Sequence, residues 1–307
     1  MLKILMFILL IAIFIFGMTL LRKGLFQLSA DSTKKWLTIF TNTPLKGFII
    51  GMIITAIMQS SSAVMVITIG LVAAKLLTFP QTIGIILGSN IGTTFTTELI
   101  TFNIESYIIP ITIIGAILAF IRYKGIQSIG IGLLGISCVF AAMRGFEYLA
   151  FAIKETAWVK DMLLTLDGNH FYAILAGIII TAIIQSSTAT TGIIMGFLTA
   201  GAMDLDTGIA IMLGANIGTC ADALLAAIGA GREAKLTAYA HIWLNLLGVA
   251  AFYPFINILT QIGIEAASQV DVQLAHVSVI FNVVSSLMVL PFANRFSKLI
   301  IRLHDRK

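Results

Sequence analysis

The sequence predicts an all-α integral membrane protein built from two homologous halves of opposite orientation, with about seven spans and two re-entrant helical hairpins. Three observations predict it. The composition suits only a bilayer. Two long apolar regions are each broken at the centre by the same polar cluster. A duplication runs in register through the chain.

Hydrophobic residues make up 59% of the 307 and charged residues 11%, against roughly 25% charged in soluble domains. With a mean hydropathy of +1.03, the chain needs lipid as solvent, and in lipid the backbone must satisfy itself within helices or a closed barrel. Strand-like alternation is absent and the apolar runs exceed barrel-strand length, which leaves helices. The net charge of +5 comes mainly from short loops and the C-terminal tail, a pattern that reports orientation rather than nucleic-acid binding. Cys138 and Cys220 both sit in apolar segments without metal-site spacing. They support neither a disulfide nor a zinc site. The first apolar run, 4–21, is followed by Leu21-Arg22-Lys23 and not by small residues, so it reads as a retained span rather than a signal peptide.

Seven stretches are expected to cross: 2–21, 81–101, 107–121, 126–150, 206–228, 238–260 and 272–292. Two further apolar regions, about 46–75 and 172–201, are interrupted by Gln59-Ser60-Ser61-Ser62 and Gln185-Ser186-Ser187-Thr188. Each half then offers about 20 Å of helix, too little for about 30 Å of hydrocarbon. A hairpin that enters and leaves on one side resolves this, provided that it packs in protein or lines a cavity. With seven crossings, Arg22, Lys23, Lys34, Lys35, Lys46, Lys75, Arg122, Lys124, Arg232, Lys235 and the basic C-terminal residues fall on one face. The positive-inside rule makes that face cytoplasmic, with the N-terminus outside and the C-terminus inside. Lys154 and Lys160 are exceptions, in a loop shared with Glu155, Asp161 and Asp167.

Residues 51–99 align without gaps to 177–225 at a constant offset of 126, with 22 identities in 49 positions. The identities include Gln59/Gln185, Ser60/Ser186, Ser61/Ser187, Asn90/Asn216, Thr93/Thr219 and the glycine pairs 51/177, 70/196, 88/214 and 92/218. Biased apolar composition does not produce such a set, so the chain is duplicated: repeat 1 covers about 1–121, repeat 2 about 126–260, and a last span follows at 272–292, all in one transmembrane domain. The first hairpin opens from the cytoplasm and the second from outside. Inverted repeats with broken helices are a signature of transporters, with the site where the repeats meet at midplane.

The chemistry of the clusters follows from helix ends. The half-helix that starts near Ser61 or Ser187 offers free N–H groups and a positive dipole end to an anion. The half that ends near Gln59 or Gln185 offers carbonyls to a cation. The glycines flanking Asn90 and Asn216 predict unwound helix there. Freed carbonyls, the Asn amides and the hydroxyls of Thr93, Thr94 and Thr219 would then form an all-oxygen set for a hard ion such as sodium. The competing reading, small residues packing helices together, accounts for one cluster more readily than for four in register. Of the intramembrane acids, Asp222 and Glu98 are candidates for ion coupling, with an interfacial, paired role as the alternative for Glu98. Arg144 and Glu147 are expected to pair along one helix, and His241, Asn245 and Asn282 to tie helices together.

These motifs resemble the sodium-dependent phosphate cotransporter family II. The resemblance covers most of the chain: Phe16-Gly17-Met18, Pro44-Leu45-Lys46-Gly47, both Gln-Ser-Ser clusters, both Gly-x-Asn-Ile-Gly-Thr stretches, and Phe281-Asn282 to Leu290-Pro291-Phe292. It implies phosphate binding by Ser60, Ser61, Ser62, Ser186, Ser187 and Thr188. It implies sodium, the coupling ion, at the same clusters, here Gln59 and Gln185; Asn90, Thr93, Thr94, Asn216 and Thr219 join them on the oxygen-ligand reading above. The second half departs from the first at Thr188, which keeps the hydroxyl of Ser62, and at Cys220, which loses that of Thr94. Fifteen residues follow Phe292, so the chain is expected to lack the cytoplasmic helical domain of many bacterial members.

The function expected is sodium-coupled symport of inorganic phosphate across the cell membrane by alternating access. The alternatives are symport of another oxyanion or a carboxylate, or an anion channel or sensor. No Lys or Arg lies in the motifs, so bound sodium is expected to supply the positive charge. Enzyme chemistry is not expected, since HExxH and GxSxG motifs are absent. The partners expected are phosphate, sodium, the lipid bilayer and, as an open option, a second copy of the chain; nucleic acid is not.

Overall fold

The computed structural model describes residues 2–39, 41 and 43–304. Every regular element among them is helical. In chain order these are α1 (Leu2–Ile39), α2 (Pro44–Met58), α3 (Ser61–Ala73), α4 (Phe79–Leu99), α5 (Ile108–Ala119), α6 (Lys124–Ile153), α7 (Ala157–Asp167) and α8 (His170–Ile184). They continue as α9 (Ser187–Thr199), α10 (Leu205–Gly218), α11 (Cys220–Ala226), α12 (Arg232–Phe252), α13 (Ile256–Ala266), α14 (Val270–Val289) and α15 (Ala293–His304). Local sequence explains the starts. Thr43 caps α2, accepting from the Lys46 N–H at 3.3 Å, with Pro44 at the first position. Asn169 caps α8.

The protein is a multi-pass membrane protein. Among the described residues five stretches are long and apolar enough to cross: Leu2–Leu28, Lys124–Ile153, Leu205–Ala226, Arg232–Ala266 and Val270–His304. Two of the seven expected crossings, α4 and α5, do not reach that standard. The middle of α4 carries Ser89, Asn90, Thr93 and Thr94, but it is largely buried, from Thr82 through Ser89 and again at Ile91, Gly92, Thr94, Thr96 and Thr97. A helix wrapped in protein needs no lipid-facing apolar surface. α5, at 12 residues, supplies about 18 Å. The first span also differs from expectation. α1 does not stop at Leu21 but carries Arg22 and Lys23 inside the helix and runs on to Ile39. The side chains of Lys34 and Lys35, and all of Arg306 and Lys307, lie outside the described residues.

Contacts give the helix directions. α2 and α4 run parallel, since Gly84, Gly88 and Gly92 press on Pro44, Phe48 and Met52 in the same order. α3 therefore has to return before α4 can start, which makes α2–α3 a re-entrant hairpin. The second half repeats this: Gly214 and Gly218 press on Ile174 and Ile178, so α8 and α10 are parallel and α9 returns between them. A Cβ at Gly88 would fall 1.9 Å from the Phe48 carbonyl oxygen, and one at Gly214 2.1 Å from that of Ile174. Those carbonyls are themselves 126 residues apart, so the duplicated glycines hold duplicated packing.

The halves are inverted. A polar ladder joins α4 to α12 in parallel: the Phe79 N–H donates to Glu233 at 2.9 Å, Thr82 to Thr237 at 3.4 Å, and Asn90 to Asn245 at 3.2 Å. α11 turns back into α12 through a short connection, with the Cys220 thiol against the His241 carbonyl, so the two are antiparallel. α10 and α11 form one span. That span, the counterpart of α4, thus runs opposite to α4.

Candidate functional site

The two hairpin tips share one backbone design. Gln59 and Gln185 end the descending arms in left-handed conformations, at φ 51° and 56°. Such a conformation costs a non-glycine residue about 1–2 kcal/mol, and here it turns the chain in two residues. Ser60 and Ser186 follow in extended conformation and cap the ascending arms, their hydroxyl oxygens accepting from the N–H of Ala63 at 3.1 Å and of Ala189 at 3.2 Å. A capping hydroxyl used as acceptor still has its proton to give. Ser61 and Ser187 open α3 and α9, half-buried and without a hydrogen-bond partner among the described residues. Each tip therefore presents hydroxyl donors and unengaged N–H groups at a positive helix end.

The surroundings break the symmetry. In the first half the Thr55 hydroxyl donates to Ser89 on α4 at 2.8 Å; in the second the equivalent Thr181 donates across its own hairpin to Thr190 at 2.8 Å. The exchange is compensated, because Val64 replaces Thr190 and Ala215 replaces Ser89 at the matching positions. The third hydroxyls differ more. Ser62 donates to the Asp222 carboxylate on α11, whereas Thr188 is buried without a partner among the described residues.

Arg22 overturns one expectation. Read as a loop residue, it lies in α1 and its Nε donates to the Gln59 carbonyl at 3.0 Å. The carbonyl expected to face a cation is thus engaged by a guanidinium, and positive charge at tip 1 comes from the protein. A signal for this was present: Phe14, Met18 and Arg22 recur every four residues, and Phe14 and Met18 are buried. The run of charge at 22–23 masks that continuation. The Gln59 side-chain amide turns back on Ala56, and its Oε1 is buried without a partner among the described residues.

The Gly-x-Asn-Ile-Gly-Thr stretches are not unwound as expected. α4 is unbroken through Asn90, whose amide donates to Asn245 and leaves its own backbone alone. The second half breaks only at Thr219, between α10 and α11. There the Asn216 amide donates to the Met212 carbonyl at 2.9 Å and the Thr219 hydroxyl to that of Asn216 at 2.7 Å. Thr93 and Thr94 donate to Ser89 and Ile91 carbonyls. Their oxygens keep lone pairs, but helical carbonyls at Asn90 are not freed for an ion. Asn245 also donates to the Cys220 sulfur at 3.4 Å and to the His241 carbonyl at 3.0 Å, so Asn90, Asn245 and Cys220 tie the two stretches together. Glu98 is paired with His276 on α14 at 2.9 Å.

α4 and α11 bring the halves together: α11 packs on α3 and touches α8, and α4 packs on α3 and touches α9. A separate cavity of about 320 Å³ lies at the far end of α9, lined by Glu105, Arg144, Glu147, Thr199, Gln269 and Asp271 among others. About 18 Å of helix separates Thr199 from Ser187. Arg144 is paired there with Glu147 at 2.7 Å, as expected, and also with Glu105. Its hydrogen bond holds the Glu105 carboxyl below the ordinary carboxylate range.

The profile of the family described as Na+/Pi-cotransporter matches residues 13–148 and again 152–289. The chain belongs to that family. Each matched stretch of this Na+/Pi-cotransporter member contains one hairpin and one glycine-packed long helix. The uncharacterized protein YqeW of Bacillus subtilis (strain 168) is 40% identical over 302 residues, 98% of each chain. The putative inorganic phosphate export protein YjbB of Escherichia coli (strain K12) is 24% identical over 297 residues. That alignment covers 95% of this chain and 54% of YjbB, so the chain spans about half of that relative's length. The sodium-dependent phosphate transport protein 2C of Homo sapiens is 41% identical over 87 residues, 27% of this chain and 14% of that protein. No solved structure matches.

Proposed function

We propose that the protein carries inorganic phosphate across the cytoplasmic membrane, with sodium as the coupling ion, by alternating access between its two halves. The observation that carries this reading is the pair of Gln-Ser-Ser tips, identical in backbone, on halves that run in opposite directions. Relatives named for phosphate export and for sodium-dependent phosphate transport support it. Phosphate is a tetrahedral acceptor of hydrogen bonds. Ser60, Ser61, Ser62, Ser186, Ser187 and Thr188 are its proposed donors, with Arg22 as the cationic contribution at tip 1. Sodium is assigned to side-chain oxygens of Gln59, Gln185, Asn90, Asn216, Thr93, Thr94 and Thr219. The hairpin α2–α3 opens to the cytoplasm and α8–α9 to the outside, with the N-terminus outside, and repeats 1–121 and 126–260 plus the last span act as one domain.

Binding of labelled phosphate to the purified protein, in sodium and in potassium, tests the reading. Saturable binding that sodium strengthens and excess sulfate leaves standing is expected. Equal binding in both salts removes the coupling, and displacement by sulfate moves the substrate to another oxyanion.

A further inference from the structure

Tip 1 carries a pair of opposite charges, and the position matching its acid in the first half is neutral. Arg22 reaches the Gln59 carbonyl from α1, and Asp222 reaches the Ser62 hydroxyl from α11. The two charges thus reach positions three residues apart on one tip, and each is engaged with a neutral group of it. At the position equivalent to Asp222, 126 residues earlier, stands buried Thr96. The device is therefore single, although the tips are duplicated.

Two consequences follow from the chemistry. One guanidinium and one carboxylate meet the tip, so the protein itself brings both a cation and an anion to it. Asp222 also accepts the hydrogen bond from the Ser62 hydroxyl, a donor that an arriving oxyanion needs. A phosphate oxygen and a carboxylate oxygen ask for the same donors, and guanidinium and hydroxyl groups serve both. A second anion joins favourably only by displacing or neutralising the first, because like charges in a half-buried site repel strongly.

We propose that Asp222 is the resident counter-anion of tip 1: phosphate displaces it from Ser62 and from the neighbourhood of Arg22, and the released carboxylate takes a coupling sodium ion. The proposal rests on the phosphate reading of the tips and adds to it a specific residue for coupling. A carboxylate released there without a cation is an uncompensated charge away from water, which is costly. A carboxylate oxygen is a suitable ligand for a hard cation. Sodium at Asp222 therefore favours phosphate at the tip, and phosphate favours sodium at Asp222, by the same factor.

Labelled-phosphate binding to the purified full chain, titrated against sodium, tests this in wild type, Asp222→Asn and Asp222→Glu. Asparagine keeps the shape and removes the charge. It is expected to bind phosphate about tenfold more tightly than wild type without sodium, about the value of one charge-assisted hydrogen bond no longer contested, and to lose much of the sodium dependence. Glutamate is expected to keep sodium dependence with a shifted half-saturating sodium concentration. An asparagine variant with the sodium dependence of wild type overturns the proposal. If that variant does not fold, a glutamate variant with an unshifted sodium curve overturns it, and a shifted one supports it. Wild-type protein that binds no phosphate at all refutes instead the reading on which the proposal rests.

Discussion

Gly88→Ala is the perturbation whose size can be worked most directly from the structure. The new Cβ would lie 1.9 Å from the Phe48 carbonyl oxygen, 2.8 Å from the Met52 nitrogen and 2.8 Å from the Phe48 carbonyl carbon. All three are backbone atoms and cannot rotate away. Ordinary contact begins near 3.4 Å, so α2 must move off α4 by about 1.5 Å, carrying tip 1 with it. Overpacking of this kind typically costs about 1–3 kcal/mol, and the rigidity of both neighbours places the cost at the upper end. Gly70→Ala is the control, since a Cβ there meets nothing within 4 Å and replacing a helix-interior glycine gains about 0.5–1 kcal/mol. Thermal unfolding of the purified variants in detergent, read beside labelled-phosphate binding, makes the comparison. The expected result is a lower melting temperature and weaker phosphate binding for Gly88→Ala, with Gly70→Ala at or above wild type. Equal melting of both variants would refute the packing argument.

Other outcomes follow from the tips and from the topology. Ser61→Ala or Ser187→Ala removes an unengaged donor with little change of volume, and phosphate binding should weaken by about ten- to a hundred-fold, the worth of a hydrogen bond to a charged group; wild-type binding curves in both variants would reduce these serines to helix starts. Arg22→Gln should weaken phosphate binding comparably while Arg22→Lys retains part of it, because the charge survives and the planar fork does not; equal loss in both would point to helix packing. A cysteine at position 46 in place of Lys46 should label from the cytoplasm only, and one in place of Phe171 from outside only; labelling from one face at both would contradict the proposed membrane orientation.

Much of this architecture was legible because membrane depth makes polar residues conspicuous. Gln59-Ser60-Ser61 and Gln185-Ser186-Ser187 stand out in apolar runs, and helices break at both. The duplication was legible for the same reason, and the glycine pairs 51/177, 88/214 and 92/218 then turned out to serve equivalent contacts, while Gly70 and Gly196 do not. The rest depended on partners far along the chain. Arg22 looked like the end of a span because a charge after 18 apolar residues usually is one; its acceptor, the Gln59 carbonyl, is 37 residues away. Asn90 looked like a helix breaker between glycines, but those glycines seat α2, and Asn245, 155 residues on, takes the amide. The link from Ser62 to Asp222 spans 160 residues, and no spacing rule reaches that far.

The central claim, sodium-coupled phosphate carriage by two inverted hairpins, is tested most directly by flux. Purified protein in proteoliposomes should accumulate labelled phosphate when sodium is high outside and low inside. The accumulation should saturate with phosphate concentration and collapse when a sodium ionophore dissipates the gradient. Phosphate movement that is unaffected by the sodium gradient, or that rises linearly without saturation, would contradict the account.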